Sequence, residues 1–393
     1  MLRGSKLPEK IRVFSLASFL NDFGAEMVFS VWPIFVTSFM GADLIVLGLL
    51  IFVHELGHFL VAKRAGVGVT TFSLGFGPRL FGLKRGGTDY RLSAIPLGGF
   101  VRMVGEHPGE EVAPEDIPRS FSHKPVAWRL AIVAAGPLSN VIFAFVAYYL
   151  VLLLWGLPTM TTLVGDVVKD QPAALAGVQK GDRVLAIGGQ AVEHWGEMVK
   201  AIQSSKGQPV DVSLDRRGRQ VTVTLQPLPV KVTDIFGEEH EVYRVGIMGG
   251  GEALTKPVGP VEAVGLALNK TYLAGELIAV SVVKMVQRKV AMDTLGGPIM
   301  IAQVAGEAAR HGLAPLLDLA ALLSVNLAIL NLLPIPALDG GHVFFFLFEA
   351  LTRRPVSLAV REKAQQVGMA LLILLMVFIF YNDIARLLAG TPQ

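Results

Sequence analysis

Leu44-Ile-Val-Leu-Gly-Leu-Leu-Ile-Phe-Val-His-Glu-Leu-Gly-His-Phe-Leu-Val-Ala62 decides how the rest of the chain is read. A bilayer-crossing helix needs roughly 20 mostly apolar residues, and this stretch supplies them. Its one formal charge, Glu55, lies between His54 and His58. On a helix, positions i and i+4 share a face, so both imidazoles can reach a single metal ion. Glu55 lies one position along, close enough to take a proton from water at that ion. Neutral imidazoles suit zinc, and a further ligand must come from elsewhere in the chain. The bland alternative is a pair of core histidines beside a buried carboxylate. It is weak here, because ionisable groups inside an apolar span are costly and functional by default.

Composition agrees with a membrane setting. Of 393 residues, 52% are hydrophobic and 17% charged, against about 25% charged in soluble proteins. Mean hydropathy is +0.54. With 35 basic and 32 acidic residues the excess is only +3, which argues against a nucleic-acid partner. Cysteine is absent, which excludes disulfides, thiolate metal sites and Cys nucleophiles.

Three more stretches read as spans: 130–158, 319–338 and 364–382, none carrying a charge. A fifth, residues 13–40, is interrupted by Asp22 and Glu26 and preceded by Arg3, Lys6, Lys10 and Arg12. Basic residues mark cytoplasmic flanks. Lys63, Arg64 and the Arg353–Lys363 group then also face the cytoplasm, and residues 159–318 begin outside it. Within them, 160–250 alternates in short apolar runs such as Val221-Thr-Val-Thr-Leu225 and reads as a soluble, mostly β module. Residues 258–316 carry Lys270, Glu276, Lys284, Arg288 and Lys289 on an apolar background, as expected of amphipathic helices along the membrane surface. Residues 67–105 read as strands and turns. The expected fold is a polytopic α-helical membrane protein with a membrane-associated β region and an inserted α+β domain. Its parts are 1–43, an extra N-terminal helix; 44–158; 160–250; 258–316; and 319–388.

The missing ligand should lie on another span at matching depth. Asn331-Leu-Leu-Pro-Ile-Pro-Ala-Leu-Asp-Gly340 closes the 319–338 span, the third after 44–62 and 130–158, near its cytoplasmic end, as His54 and His58 close theirs. Asp339 is the first candidate and His342 the second. Pro334 and Pro336 break the helix and free backbone groups that could hold an extended peptide.

His-Glu-x-x-His in one span and Asn-x-x-Pro-x-Pro-x-Leu-Asp-Gly in a later one closely resemble the site-2 protease family of intramembrane zinc metalloproteases. Gly75-Phe-Gly-Pro78, Ile95-Pro-Leu-Gly-Gly99 and Ala135-Gly-Pro-Leu-Ser-Asn140 resemble that family's β region and second core span. The likeness covers about 44–388 and is greatest to the bacterial RseP-like branch, which cleaves anti-sigma factors. It implies one zinc ion held by His54, His58 and Asp339, with Glu55 as general base. It also implies Asn331, Pro334 and Pro336 at the substrate, and a transmembrane protein as that substrate. The implied location is the bacterial inner membrane, with the active site toward the cytoplasm. Gln171-Pro-Ala-Ala-Leu-Ala-Gly177 and Gln179-Lys-Gly-Asp-Arg-Val-Leu-Ala-Ile187 resemble a circularly permuted PDZ domain, placed outside the cytoplasm. One copy is visible, where the best-known pathway members have two. Residues 13–40 instead resemble the first helix of a major facilitator transporter. Two other readings therefore stand beside the protease: a non-catalytic PDZ scaffold, and a proton-coupled transporter fragment using Asp22 and Glu26.

Overall fold

The computed structural model describes residues 44–106, 110–234, 237–251, 253–289 and 296–389. The helix expected at 13–40, with Asp22 and Glu26, lies outside them. Two compact units are present. One comprises Tyr149–Leu266 and Ser281–Val290, and the other the remaining described residues.

The larger unit starts with α1 (Leu44–Arg64), 21 residues and about 31 Å long at 1.5 Å per residue. Lys63 and Arg64 occupy its last turn, where cations suit the helix dipole. Strands β1 (Val69–Arg85) and β2 (Thr88–Met103) follow, joined at Gly86-Gly87 with φ of +57° and +79°. Two consecutive positive φ values are what a tight hairpin turn requires. Both strands fold back on themselves: Thr71–Leu74 is flanked by Gly99–Arg102 on one side and Asp89–Leu92 on the other. Phe59 of α1 packs on Phe72 of this sheet, ring centroids 4.6 Å apart. Helix α2 (Val126–Trp155) lies against α1, and its Ser139 hydroxyl donates to Val53 O at 2.7 Å. A Cβ at Gly57 would collide with Ala135 O and Ser139 Oγ, so only glycine permits this approach.

The smaller unit contains β3 (Leu157–Met160), β4 (Val164–Val167), α3 (Pro172–Leu175), β5 (Arg183–Ile187), β6 (Gln190–Ala191) and α4 (Trp195–Ser204). It continues with β7 (Val210–Arg216), β8 (Arg219–Leu225), β9 (Leu228–Thr233), β10 (Glu239–Arg244), β11 (Ile247–Gly249) and β12 (Ala253–Lys256). Four strands form one antiparallel sheet in the order β6-β5-β7-β8. Val184, Val212, Leu214 and Leu225 of this sheet meet Ala173 of α3 and Met198 and Ile202 of α4 in one core. Arg216 grips the buried Asp182 with Nε to Oδ1 at 2.9 Å and Nη2 to Oδ2 at 2.7 Å. Asp182 also accepts the Gln179 N–H at 2.8 Å. Those hydrogen bonds, the guanidinium's first, hold the Asp182 carboxyl below the usual carboxylate range.

Beyond the insert, α5 (Pro260–Val286) is one continuous helix of 27 residues, followed by α6 (Pro298–Arg310). Surface helices were expected over 258–316, whereas α5 has the length and apolarity to cross a membrane. Its Lys270 is neutralised by Asp318 at 2.8 Å and lies over the Tyr148 ring, 4.6 Å from its centroid. Helix α7 (Leu313–Leu332) ends seven residues before Asp339. The third span was expected to continue to 338. Pro334 and Pro336 lack the N–H groups a helix needs, and short-range hydrogen bonds such as Leu338 N to Ile335 O replace them. Asp339 therefore opens α8 (Asp339–Thr352), a helix inside a segment expected to be a loop. A Cβ at Gly341 would strike Ile335 O, so glycine lets α8 start against this turn. Glu349 of α8 accepts both terminal nitrogens of Arg129 of α2, at 2.6 and 3.1 Å. The final helix is α9 (Leu358–Ala389). Among the described residues, Val126–Trp155, Pro260–Val286, Leu313–Leu332 and Leu358–Leu388 are long and apolar enough to span a membrane.

Candidate metal centre

Helix α1 aims His54 and His58 toward α2 and toward the first turn of α8. The two Nε2 atoms are 3.2 Å apart, and Asp339 Oδ2 lies 2.9 Å from His54 Nε2 and 3.4 Å from His58 Nε2. Tetrahedral zinc, with bonds of about 2.0–2.2 Å, sets its donor atoms roughly 3.4 Å apart. The three atoms thus have the mutual spacing of one coordination sphere. Asp339 Oδ2 is buried and receives no well-aligned hydrogen bond despite these approaches, as suits an atom reserved for a cation. A Cβ at Gly136 would run into both Nε2 atoms, so a glycine on α2 keeps the space beside the imidazoles clear.

The far side of His58 is fixed: its Nδ1 lies 2.8 Å from the Ile132 carbonyl oxygen. Nδ1 must donate to that carbonyl, which leaves the Nε2 lone pair for the ion. His54 Nδ1 faces the Asn140 side-chain amide at 3.2 Å. Glu55 points into the same cavity, where its Oε2 accepts the Val101 N–H of β2 at 3.0 Å.

The cavity measures about 280 Å³, and its lining includes His54, Glu55, His58, Asn331, Asp339 and His342. His342 lies outside the His54–His58–Asp339 cluster. Pro334 and Pro336 are not among the lining residues, whereas their neighbours Ala337 and Leu338 are. Asn140, Ile132 O, Gly136 and Val101 N were not anticipated. Gly136 and Asn140 do fall in the Ala135–Asn140 stretch quoted above, and Asn140 is a polar side chain inside a largely apolar span.

A second grouping of possible ligands, Asp234, Glu238 and His240, sits in the smaller unit. Its charges are already engaged: His240 Nε2 bonds Asp234 at 2.8 Å, and Glu238 is held by Lys284 and Lys289. Two ammonium groups beside it oppose a cation.

Comparison with known proteins places the chain in a family. A relative in Agrobacterium fabrum is 35% identical over 372 residues, 90% of this chain and 97% of its own. The zinc metalloprotease RasP of Geobacillus kaustophilus is 30% identical over 417 residues, 87% of this chain and 97% of its own. Protease RseP of Yersinia pestis is 32% identical over 450 residues, 88% of this chain and 98% of its own. Among solved structures, the PDZ domain of an SdrC-like protein from Listeria monocytogenes aligns with 22% of this chain and 84% of its own, at 23% identity and a TM-score of 0.18. The profile of peptidase family M50 matches residues 42–375. With these matches, the chain belongs to peptidase family M50 and is an intramembrane zinc metalloprotease.

Proposed function

We propose that His54, His58 and Asp339 hold one zinc ion and that Glu55 is the general base for cleaving a transmembrane segment of a membrane protein. One observation carries this: three donor atoms from two separate segments converge at 2.9–3.4 Å, beside a carboxylate in the same cavity. Bound there, zinc supplies a Lewis acid that brings the pKa of water toward about 7 and polarises the scissile carbonyl. Glu55 takes the proton from the attacking water, and the Val101 N–H fixes which carboxylate oxygen stays free to do so. Asn331, buried at the cavity wall on α7, offers its amide to the substrate backbone. A helical substrate hides its carbonyls in hydrogen bonds, so it must be presented extended. Phe100 and Val101 of β2 line the cavity and supply a strand beside which it can lie.

Anti-sigma factors are the first substrates to try, and the bacterial inner membrane is the setting, with the cleavage site toward the cytoplasm. Lys63 and Arg64 at the inner end of α1 support that orientation. The 160–250 module serves as an extracytoplasmic PDZ filter, and 258–316 lies along the membrane surface: α5 is long enough to cross, but Lys270, Glu276 and Lys284 interrupt its apolar face. The test is cleavage of a transmembrane reporter by purified wild type and by a 160–250 deletion. Cleavage by wild type is expected, with the deletion also cutting substrates whose ectodomains are intact. A zinc-loaded wild type that cuts no transmembrane reporter overturns the proposal.

A further inference from the structure

We infer that Asn140 is a positioning residue for the metal centre: its side-chain carbonyl accepts the His54 Nδ1–H and so commits His54 Nε2 to the ion. The inference rests on the zinc reading above. A neutral imidazole that ligates through Nε2 must carry its proton on Nδ1, and a buried N–H needs an acceptor. His58 has one in Ile132 O. For His54, the group opposite Nδ1 is the Asn140 amide, at 3.2 Å and fully buried.

As placed, Nδ2 faces the ring and Oδ1 is buried without a partner. Oxygen and nitrogen of an amide are told apart only by their hydrogen bonds. The two orientations have opposite consequences. With Nδ2 toward His54, the amide donates, the Nδ1 lone pair is consumed, and the ring proton sits on Nε2. That proton would point at Asp339 Oδ2 and His58 Nε2, and His54 could not ligate. With Oδ1 toward His54, the orphaned oxygen gains a partner and the Nε2 lone pair is free. Only the second orientation suits a zinc ligand. The backbone at Asn140 is itself anchored, because Ser324 Oγ of α7 donates to Asn140 O at 2.9 Å. The amide thus sets the His54 tautomer from a fixed point on α2.

The test uses the full chain in detergent, with zinc affinity read by competition against a chromogenic chelator and melting followed in parallel. Asn140→Leu keeps the size and removes the acceptor, and should weaken zinc about 10- to 100-fold, the usual cost of losing an outer partner. Asn140→Asp restores an acceptor and should return affinity to near the wild-type value. A purely structural role would lower melting in both variants without this split. Wild-type affinity in Asn140→Leu, or an Asn140→Asp as weak as Asn140→Leu, overturns the inference. Nitrogen-15 spectra of zinc-loaded wild type give a second readout that needs no variant. They should show His54 protonated at Nδ1, and a proton on Nε2 sinks the assignment. His54→Ala is the control for the underlying reading: if it binds zinc as wild type does, the site itself is misassigned and the inference falls with it. If His54→Ala loses zinc and Asn140→Leu does not, the site stands and only the role of Asn140 fails.

Discussion

Asp182 in the smaller unit is buried and Asp339 in the larger one keeps its Oδ2 out of water, and their neighbours treat these carboxylates in opposite ways. Asp182 is answered from within the chain: a bidentate guanidinium and a backbone N–H meet its two oxygens. Asp339 faces two imidazole nitrogens whose lone pairs also need a cation, and its Oδ2 has no aligned donor. The first arrangement is complete and holds a fold together. The second is complete only with something added. Unsatisfied polar groups are rare inside proteins, so one that sits among possible metal ligands marks where binding energy is kept for a ligand.

The largest expected effect lies at the incomplete site. Glu55→Gln should retain zinc and lower the cleavage rate by about 10²- to 10⁴-fold, the usual worth of a general base. Turnover of the reporter near the wild-type rate would remove Glu55 from the chemistry.

At the complete site the effect should fall on stability instead. Asp182→Asn breaks a buried pair from one side. It should cost about 3 kcal/mol, the lower end for such pairs because Arg216 is partly exposed. Cleavage by the folded protein should be unchanged. The sign with pH follows from the lowered carboxyl. The stabilisation is fully present above the ordinary Asp value, about 3.9, and is lost as pH falls through the folded value. Acid unfolding of the wild-type unit should therefore begin below about pH 4 and be blunted in the variant.

Zinc itself should divide the two units. At a hundred times its Kd, zinc stabilises a folded state that binds it by about 2.7 kcal/mol. Calorimetry with and without a chelator should move the transition of the larger unit and leave that of the smaller one in place. A shift in both would erase the contrast.

The smallest effect concerns Lys270–Asp318, a pair about two-fifths exposed. With α5 at the membrane surface, Lys270→Met should cost under about 1 kcal/mol. A loss of 3 kcal/mol or more would place α5 within the lipid.

How much of this was legible in the sequence follows from the range of each interaction. His54, Glu55 and His58 could be read because helical geometry alone brings i and i+4 together. Asp339 could be ranked because few ionisable groups fall near a span end. The partners of these side chains could not be read. Ile132 O, Asn140 and Val101 N lie 74, 86 and 46 residues from the groups they hold, and no local period reports such pairings. The same holds for α5. Its Lys270 is paired with Asp318, 48 residues on, and no local pattern reports that pair. Helix α8 was hidden because the expected span ran through Pro334 and Pro336, leaving its residues to a loop.

The central claim, that Asp339 completes a zinc site with His54 and His58, is tested most directly by zinc content and affinity. The measurement compares purified wild type, Asp339→Asn and His342→Ala. The account predicts one zinc per wild-type chain, at least about a tenfold weaker site in Asp339→Asn, and wild-type affinity in His342→Ala. Zinc lost from His342→Ala and retained in Asp339→Asn would contradict it.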